Sequence, residues 1–143
     1  MRYLAIDLGE KRTGLAVGDD VTGIASPLEV IQTASPEVRL QELERAIQEQ
    51  GPDALVMGVP LNMDGSDSPG VTKARTLARQ LTARLGLPVH LVDERLTSVA
   101  ADEQMARSGL THGKKKARRD ALAAAAILRD FLATHQNNQD DGE

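Results

Sequence analysis

The sequence predicts an α/β fold: a mixed five-stranded sheet, three antiparallel strands followed by two parallel ones, with helices on both faces. Two observations lead to this prediction. The chain opens with two short apolar segments joined by a glycine-containing turn, which is typical of a β-hairpin. Farther along, short apolar segments alternate with helical patterns, which is typical of parallel strands joined by crossover helices. The first strand should then lie at the centre of the sheet, beside the fourth.

Apolar segments bounded by Gly, Pro, Asp and Ser define the strands. The predicted strands are Tyr3–Leu8, Thr13–Gly18, Leu28–Gln32, Ala54–Val59 and Val89–Val92. The third strand is placed after the turn signals at Asp19-Asp20 and Ser26-Pro27. Ala54–Val59 is continuously apolar, as expected of a parallel strand that is covered on both faces, and Val89–Val92 is predicted to be another buried strand.

Helices are predicted where a capping hydroxyl precedes proline and apolar residues then recur every three or four positions. Ser35-Pro36 and Ser68-Pro69 begin the first two helices, and Gly51 and Gly86 end them. Their apolar stripes are Leu40, Leu43 and Ile47 in the first and Val71, Ala74, Ala78, Leu81 and Leu85 in the second. A third helix runs from Thr97 or Ser98 to about Arg107, and a fourth, with Ala124, Ile127 and Phe131 on its apolar face, covers Ala117–Thr134.

Length and composition narrow the class of protein. With 143 residues, the chain is expected to form one domain over residues 1–135, followed by a polar, acidic, disordered tail over 136–143. The absence of cysteine excludes disulfides and thiolate metal sites, and the three histidines are scattered. No apolar run approaches the ~20 residues of a membrane span, so a cytoplasmic protein is expected. Only Tyr3 and Phe131 are aromatic, so a nucleic acid would be recognised through its phosphates and shape.

Asp7 is the most unusual residue of the first predicted strand. It interrupts an otherwise apolar segment, and glycines follow it at positions 9, 14 and 18. A carboxylate among apolar neighbours is costly unless a partner compensates its charge. The alternative is that Asp7 and Gly9 only mark a turn.

Two other acids are predicted to approach Asp7. Glu94 follows the fifth strand, and Asp120 lies at the start of the last helix, on its apolar side. If the first and fifth strands run parallel on either side of the fourth, Asp7 and Glu94 emerge at the carboxyl edge, where open α/β sheets bind ligands. Carboxylates within ~4 Å of each other repel by about 4 kcal/mol per pair, which divalent cations offset. Oxygen ligands without His or Cys favour Mg²⁺ or Mn²⁺, and two such ions suit phosphodiester hydrolysis.

Each acid also has a structural explanation. The helix dipole favours an acid in a first turn, which accounts for Asp120 taken alone. Glu94 can pair with the adjacent Arg95 at the surface. Spacing along the chain leaves open whether the three acids meet.

A dense basic run directly precedes Asp120. It contains Lys114, Lys115, Lys116, Arg118 and Arg119. The run is either a solvated face or a rim of cations that holds the phosphates flanking a scissile one. The loop after the fourth strand, which includes Asn62, Asp64, Gly65 and Ser66, lies at the same predicted edge. It either supplies amide contacts to a phosphate or only leads into the next helix.

Four segments occur in order along the chain: DLGEKRTGLAVGD (Asp7–Asp19), GVPLNMDGS (Gly58–Ser66), DERLTS (Asp93–Ser98) and KKKARRDALAA (Lys114–Ala124). Together they span most of the chain and resemble the YqgF/RuvX family of RNase H-like nucleases, described as Holliday-junction resolvases or as nucleases that process pre-16S rRNA. The resemblance implies an RNase H-like fold and a divalent-metal site built from Asp7, Glu94 and Asp120. It also implies substrate contacts near Arg12, Asn62, Arg95, Lys114, Lys115 and Lys116.

The sequence therefore predicts a metal-dependent endonuclease that acts on structured nucleic acid, either branched DNA or precursor rRNA. A four-way junction has two-fold symmetry, so paired cuts would require a homodimer, whereas precursor RNA places no such demand. Two other classes remain as alternatives. An ATP-binding domain of the actin and sugar-kinase type also carries Asp-x-Gly in its first hairpin, but it needs two domains to enclose ATP. A non-catalytic nucleic-acid adaptor would not need intact acids.

Overall fold

The computed structural model describes residues 1–59, 64, 66–93 and 121–134, which form a five-stranded sheet covered by helices. The strands are β1 (Arg2–Leu8), β2 (Arg12–Asp19), β3 (Ala25–Gln32), β4 (Ala54–Val59) and β5 (Val89–Asp93). Helix α1 (Pro36–Gln50) connects β3 to β4, α2 (Pro69–Leu85) connects β4 to β5, and residues 121–134 are also helical. The strand order is β3-β2-β1-β4-β5. The predicted central position of β1, beside β4, is confirmed.

Strand directions follow the predicted mixed pattern. β2 pairs antiparallel with both β1 and β3, whereas β4 pairs parallel with both β1 and β5. The β1–β2 hairpin keeps a regular register from Arg2 opposite Asp19 to Leu8 opposite Thr13. The prediction of three antiparallel strands followed by two parallel ones is therefore confirmed.

The start of β3 was predicted three residues too late. Ser26 and Pro27 belong to the strand rather than to a turn, because β3 is an edge strand. A proline is tolerated there, since one side of an edge strand needs no ladder hydrogen bond. The register shifts between Leu15, which is opposite Glu29, and Ala16, which is opposite Pro27. This irregularity accommodates the extra residue, Leu28, in the way a β-bulge does.

Both described crossover helices begin and end at the predicted signals. Ser35 caps α1, where its hydroxyl accepts a hydrogen bond from the Val38 amide at 3.3 Å, and Gly51 ends the helix. Ser68 occupies the capping position of α2, but its side chain makes no capping hydrogen bond. The predicted stripes are buried or half-buried, and α2 also buries Leu77, which completes its apolar face.

Two apolar clusters sandwich the sheet, which places helices on both of its faces as predicted. On one face, α1 and α2 cover Leu4, Ile6, Leu15, Leu55 and Met57. On the other face, the helix over residues 121–134 covers Tyr3, Ala5, Ala16 and Val56. The predicted apolar face of that helix is confirmed, because Ala124 and Ile127 are fully buried and the Phe131 ring packs edge-on against Tyr3 at 5.2 Å.

Three predictions concern residues outside the described ranges: the third helix to about Arg107, the start of the fourth helix at Ala117, and the tail over 136–143. The division into one domain and a tail therefore stays a prediction. None of the helices in the described ranges is long and apolar enough to span a membrane.

Candidate active site

The carboxyl ends of three parallel strands meet at one edge of the sheet. Ile6 of β1 is level with Met57 of β4, which is level with Leu91 of β5. Asp7 lies one residue beyond this level, and Asp93 ends β5 two residues beyond it. The prediction that the first and fifth strands flank the fourth in parallel is confirmed, so Asp7 and the end of β5 share the edge where such sheets bind ligands.

The pleat places Asp7 on the face covered by the 121–134 helix. Tyr3 and Ala5 belong to the apolar cluster of that helix, whereas Leu4 and Ile6 belong to the cluster of α1 and α2. Because side chains alternate along a strand, Asp7 continues the series of Tyr3 and Ala5. It is half-buried at the end of the central strand.

Glycines stand opposite this series on β2. Gly14 pairs with Asp7, and Gly18 pairs with Tyr3. A Cβ atom at Gly18 would lie 3.2 Å from Leu128 Cδ2 and 2.4 Å from the carbonyl oxygen of Ile24, so the absence of a side chain there lets the helix approach the sheet. At Gly14, no β2 side chain competes for the space beside the Asp7 carboxylate.

Arg12 lies on the same face as Asp7, at the start of β2. The residues of β2 that share its side of the pleat are Gly14, Ala16 and Gly18, and Ala16 belongs to the cluster of the 121–134 helix. Arg12 is half-buried, and its buried Nε has no hydrogen-bond partner within the described ranges. A guanidinium with an unused donor suits a phosphate oxygen, which is consistent with the substrate contact that the resemblance implies.

Asp93 lies on the opposite face from Asp7. Val89 packs with the α1 and α2 cluster, whereas Val92 packs with the cluster of the 121–134 helix. Alternation along β5 therefore groups Asp93 with Val89. Within residues 1–59, 64, 66–93 and 121–134, no three His, Cys, Asp or Glu side chains form a group that could hold a metal.

The other predicted site residues fall outside the described ranges. They are Asn62, Glu94, Arg95, Lys114, Lys115, Lys116 and Asp120. In the loop after β4, Asp64 Oδ1 accepts hydrogen bonds from the Ser66 amide at 2.9 Å and the Ser66 hydroxyl at 2.6 Å. The Ser66 amide is therefore bonded within the loop.

A surface groove of about 440 Å³ lies elsewhere, between α2 and β5. Arg79, Val89 and Leu91 are among the residues that line it. Since Val89 and Leu91 project from the face opposite Asp7, this groove is separate from the candidate site.

Comparison with known proteins gives the family. The RuvX family model, described as Holliday junction resolvase, matches residues 1–134. The chain belongs to the RuvX family. A relative from Thiobacillus denitrificans is 46% identical to this RuvX chain over 130 residues, covering 90% of this chain and 89% of the relative. One from Chloroflexus aurantiacus is 40% identical over 135 residues, with 94% and 88% covered. Both are named "Putative pre-16S rRNA nuclease".

Solved structures confirm the predicted RNase H-like fold of this RuvX chain. RuvC of T. thermophilus, in complex with a Holliday junction substrate, superposes with a TM-score of 0.62 at 17% identity, covering 96% of each chain. The fowlpox virus resolvase, in complex with Holliday junction DNA, superposes with a TM-score of 0.61 at 10% identity, covering 94% of this chain and 99% of the resolvase. The family and the relatives make the RuvX chain a nuclease, a hydrolase of phosphodiester bonds that works on nucleic acid.

Proposed function

We propose that this chain is a divalent-metal-dependent endonuclease whose metal ligands are Asp7, Glu94 and Asp120. The observation that carries the proposal is the position of Asp7: half-buried, at the carboxyl end of the central strand, opposite a glycine and on the face covered by the 121–134 helix. The other two acids are assigned by extending the described strand and helix by one residue each.

Extending β5 by one residue supports the assignment of Glu94 as a metal ligand. The His90 ring lies 5.0 Å from the Phe131 ring, and Val92 packs with the same cluster, so both project toward the 121–134 helix. Glu94 is the next residue of this alternating series, one position past the end of β5. We therefore expect it on the same face and at the same edge as Asp7.

Extending the 121–134 helix by one residue at its start supports the assignment of Asp120 as a metal ligand. Leu128 lies beside Gly18, and Phe131 packs against Tyr3, so this part of the helix covers the amino end of β1. Four residues of a helix advance ~6 Å along its axis, and two residues of a strand advance ~6.6 Å along the strand. Counting toward the start of the helix, we therefore expect Ala124 to be level with Ala5, and Asp120, four residues earlier, to be level with Asp7. If the helix ran in the opposite direction relative to β1, Ala124 would lie beyond the end of the sheet and would be exposed. Ala124 is instead fully buried.

The donor chemistry fits a hard cation. Carboxylate oxygens are the ligands that Mg²⁺ and Mn²⁺ prefer, and Asp7 would contribute one such group opposite Gly14 of β2, which has no side chain. A bound pair of these ions would activate a water for attack on the phosphodiester and stabilise the leaving oxygen. Asp7, Glu94 and Asp120 would hold and orient the ions. Arg12, with Asn62, Arg95 and Lys114–Lys116, would position the nucleic-acid strand and neutralise the charge of its phosphates.

We propose four-way junction DNA as the substrate, in line with the description of the family. In that case, paired cuts require a homodimer with two sites facing opposite strands. Pre-16S rRNA is the second candidate, because the relatives at 46% and 40% identity carry that substrate in their names. An rRNA precursor needs only one site, so a monomer would suffice.

Metal removal and substrate comparison test the proposal together. Purified protein is incubated with junction DNA or with pre-16S rRNA in Mg²⁺, Mn²⁺ or excess EDTA, and its mass in solution is measured under the same conditions. We expect cleavage with either metal, none in EDTA, and recovery when Mn²⁺ is added back. Paired cuts in the junction by a dimer support the DNA substrate, whereas RNA cleavage by a strict monomer supports the second candidate. Cleavage that persists in EDTA contradicts the metal-dependent mechanism.

A further inference from the structure

We infer that Arg39 of α1 is a positioning residue for the proposed metal site, because it holds the β1–β2 turn that sets Asp7 relative to Arg12. The inference rests on the proposed function. It concerns a residue that lies outside the four sequence motifs and does not belong to the strands that carry the site.

The contacts of Arg39 converge on the turn. Its Nη2 donates a hydrogen bond to the carbonyl oxygen of Glu10 at 2.7 Å and approaches that of Thr33 at 3.3 Å. The Thr33 amide in turn donates to the carbonyl oxygen of Lys11 at 2.9 Å. Two successive carbonyls of the turn are thus held: that of Glu10 by α1, and that of Lys11 by the residue that follows β3.

The turn has little freedom to adjust. A Cβ atom placed on Gly9 would lie 2.4 Å from the carbonyl oxygen of Arg12, so the two arms of the turn are in close contact. Asp7 lies two residues before Gly9, and Arg12 begins the other arm. A displacement of the Glu10 and Lys11 carbonyls would therefore move the metal ligand and the proposed phosphate contact relative to each other.

Arg39 differs from the other arginine of α1 in what it binds. Arg45 forms ion pairs with three carboxylates: Glu29 at 2.7 Å, Glu42 at 3.1 Å and Glu49 at 2.9 Å. In the part of the chain that the structure describes, no carboxylate pairs with Arg39, whose charged group instead donates to main-chain carbonyls. A charge-assisted bond to a turn carbonyl fixes backbone position, and groups that orient metal ligands in this way typically affect metal affinity or activity.

The test compares Arg39→Met with Arg39→Lys and with a matched control, Arg45→Met. Methionine keeps an unbranched stem like that of arginine but removes the guanidinium and its donors, whereas lysine retains a charged ammonium donor for the Glu10 carbonyl. Arg45→Met removes a cation from the same helix without touching the turn. The measurements are kcat and KM for cleavage, the Mn²⁺ concentration for half-maximal activity, the unfolding temperature, and hydrogen exchange at the Thr33 amide.

We expect Arg39→Met to lower kcat and raise the Mn²⁺ requirement by about 10–100-fold, with KM nearly unchanged and faster exchange at Thr33. Arg39→Lys should restore most of the loss. Arg45→Met should lower the unfolding temperature at least as much but keep kcat. The inference is overturned if Arg39→Met keeps kcat, or if Arg45→Met loses kcat equally. A wild-type protein that cleaves neither substrate would refute the proposed function, and the exchange at Thr33 would still decide whether Arg39 holds the turn.

Discussion

Asp7→Asn is expected to lower the cleavage rate by at least about 10³-fold while leaving nucleic-acid binding largely intact. The substitution preserves the shape of a half-buried side chain at the end of β1 but removes the charge that would hold a divalent ion. Metal ions contribute several kcal/mol of transition-state stabilisation in such reactions, and each 1.36 kcal/mol corresponds to about a factor of ten in rate. Single-turnover cleavage and a binding assay in Ca²⁺ measure the two effects separately.

Asp53→Asn is the matched control for this prediction. Asp53 lies at the amino ends of β1 and β4, away from Asp7, where its Oδ2 accepts a hydrogen bond from the Arg2 amide at 2.8 Å. The same change of residue should therefore leave the cleavage rate near that of the wild type. If Asp7→Asn cuts at the wild-type rate, or if Asp53→Asn loses as much activity, then Asp7 does not have the role assigned to it.

Leu128→Ala is expected to reduce the free energy of unfolding by about 2–5 kcal/mol, the range for truncating a buried leucine. Leu128 is 0% exposed and packs where Gly18 leaves β2 without a side chain. Because this contact docks the helix that would carry Asp120, the variant should also bind Mn²⁺ more weakly. Urea denaturation gives the stability change, and titration calorimetry gives the Mn²⁺ affinity.

Leu91→Ala provides the comparison for the stability prediction. Leu91 is 46% exposed on the edge strand β5, so the same substitution removes fewer contacts and should cost about 1 kcal/mol or less. A Leu128→Ala protein that is no less stable than Leu91→Ala would show that the 121–134 helix does not depend on this contact with the sheet.

The sequence was sufficient for the architecture because its local signals agree with one another. Ser35-Pro36 and Gly51 bound α1 in the structure as they do in the sequence, and the continuously apolar Ala54–Val59 is the buried strand β4, which pairs in parallel on both sides. The prediction that β5 is also buried is wrong, because β5 is an edge strand in which Leu91 is 46% exposed. The late start assigned to β3 has a physical reason. Pro27 reads as a turn residue in isolation, and only the position of β3 at the sheet edge makes proline acceptable within the strand.

Of the candidate site, the placement of Asp7 followed from its isolation among apolar residues and from the parallel pairing of β1, β4 and β5. The alternation of side chains along β5 then separates two neighbouring acids. Asp93 is adjacent to Glu94 in sequence, but it projects from the face opposite to that of Asp7. Arg39 was not identifiable in advance. Its partners are main-chain carbonyls, which leave no trace in residue type, and they come together only when α1 packs beside the hairpin.

The most direct test of the metal site is a crystal structure grown in Mn²⁺, with the ions located from their anomalous scattering. The proposed metal site predicts a peak at the carboxyl edge of the sheet, bound by oxygens of Asp7, Glu94 and Asp120 at about 2.0–2.2 Å. Peaks that lie away from Asp7, or carboxylates too far apart to share an ion, would contradict it.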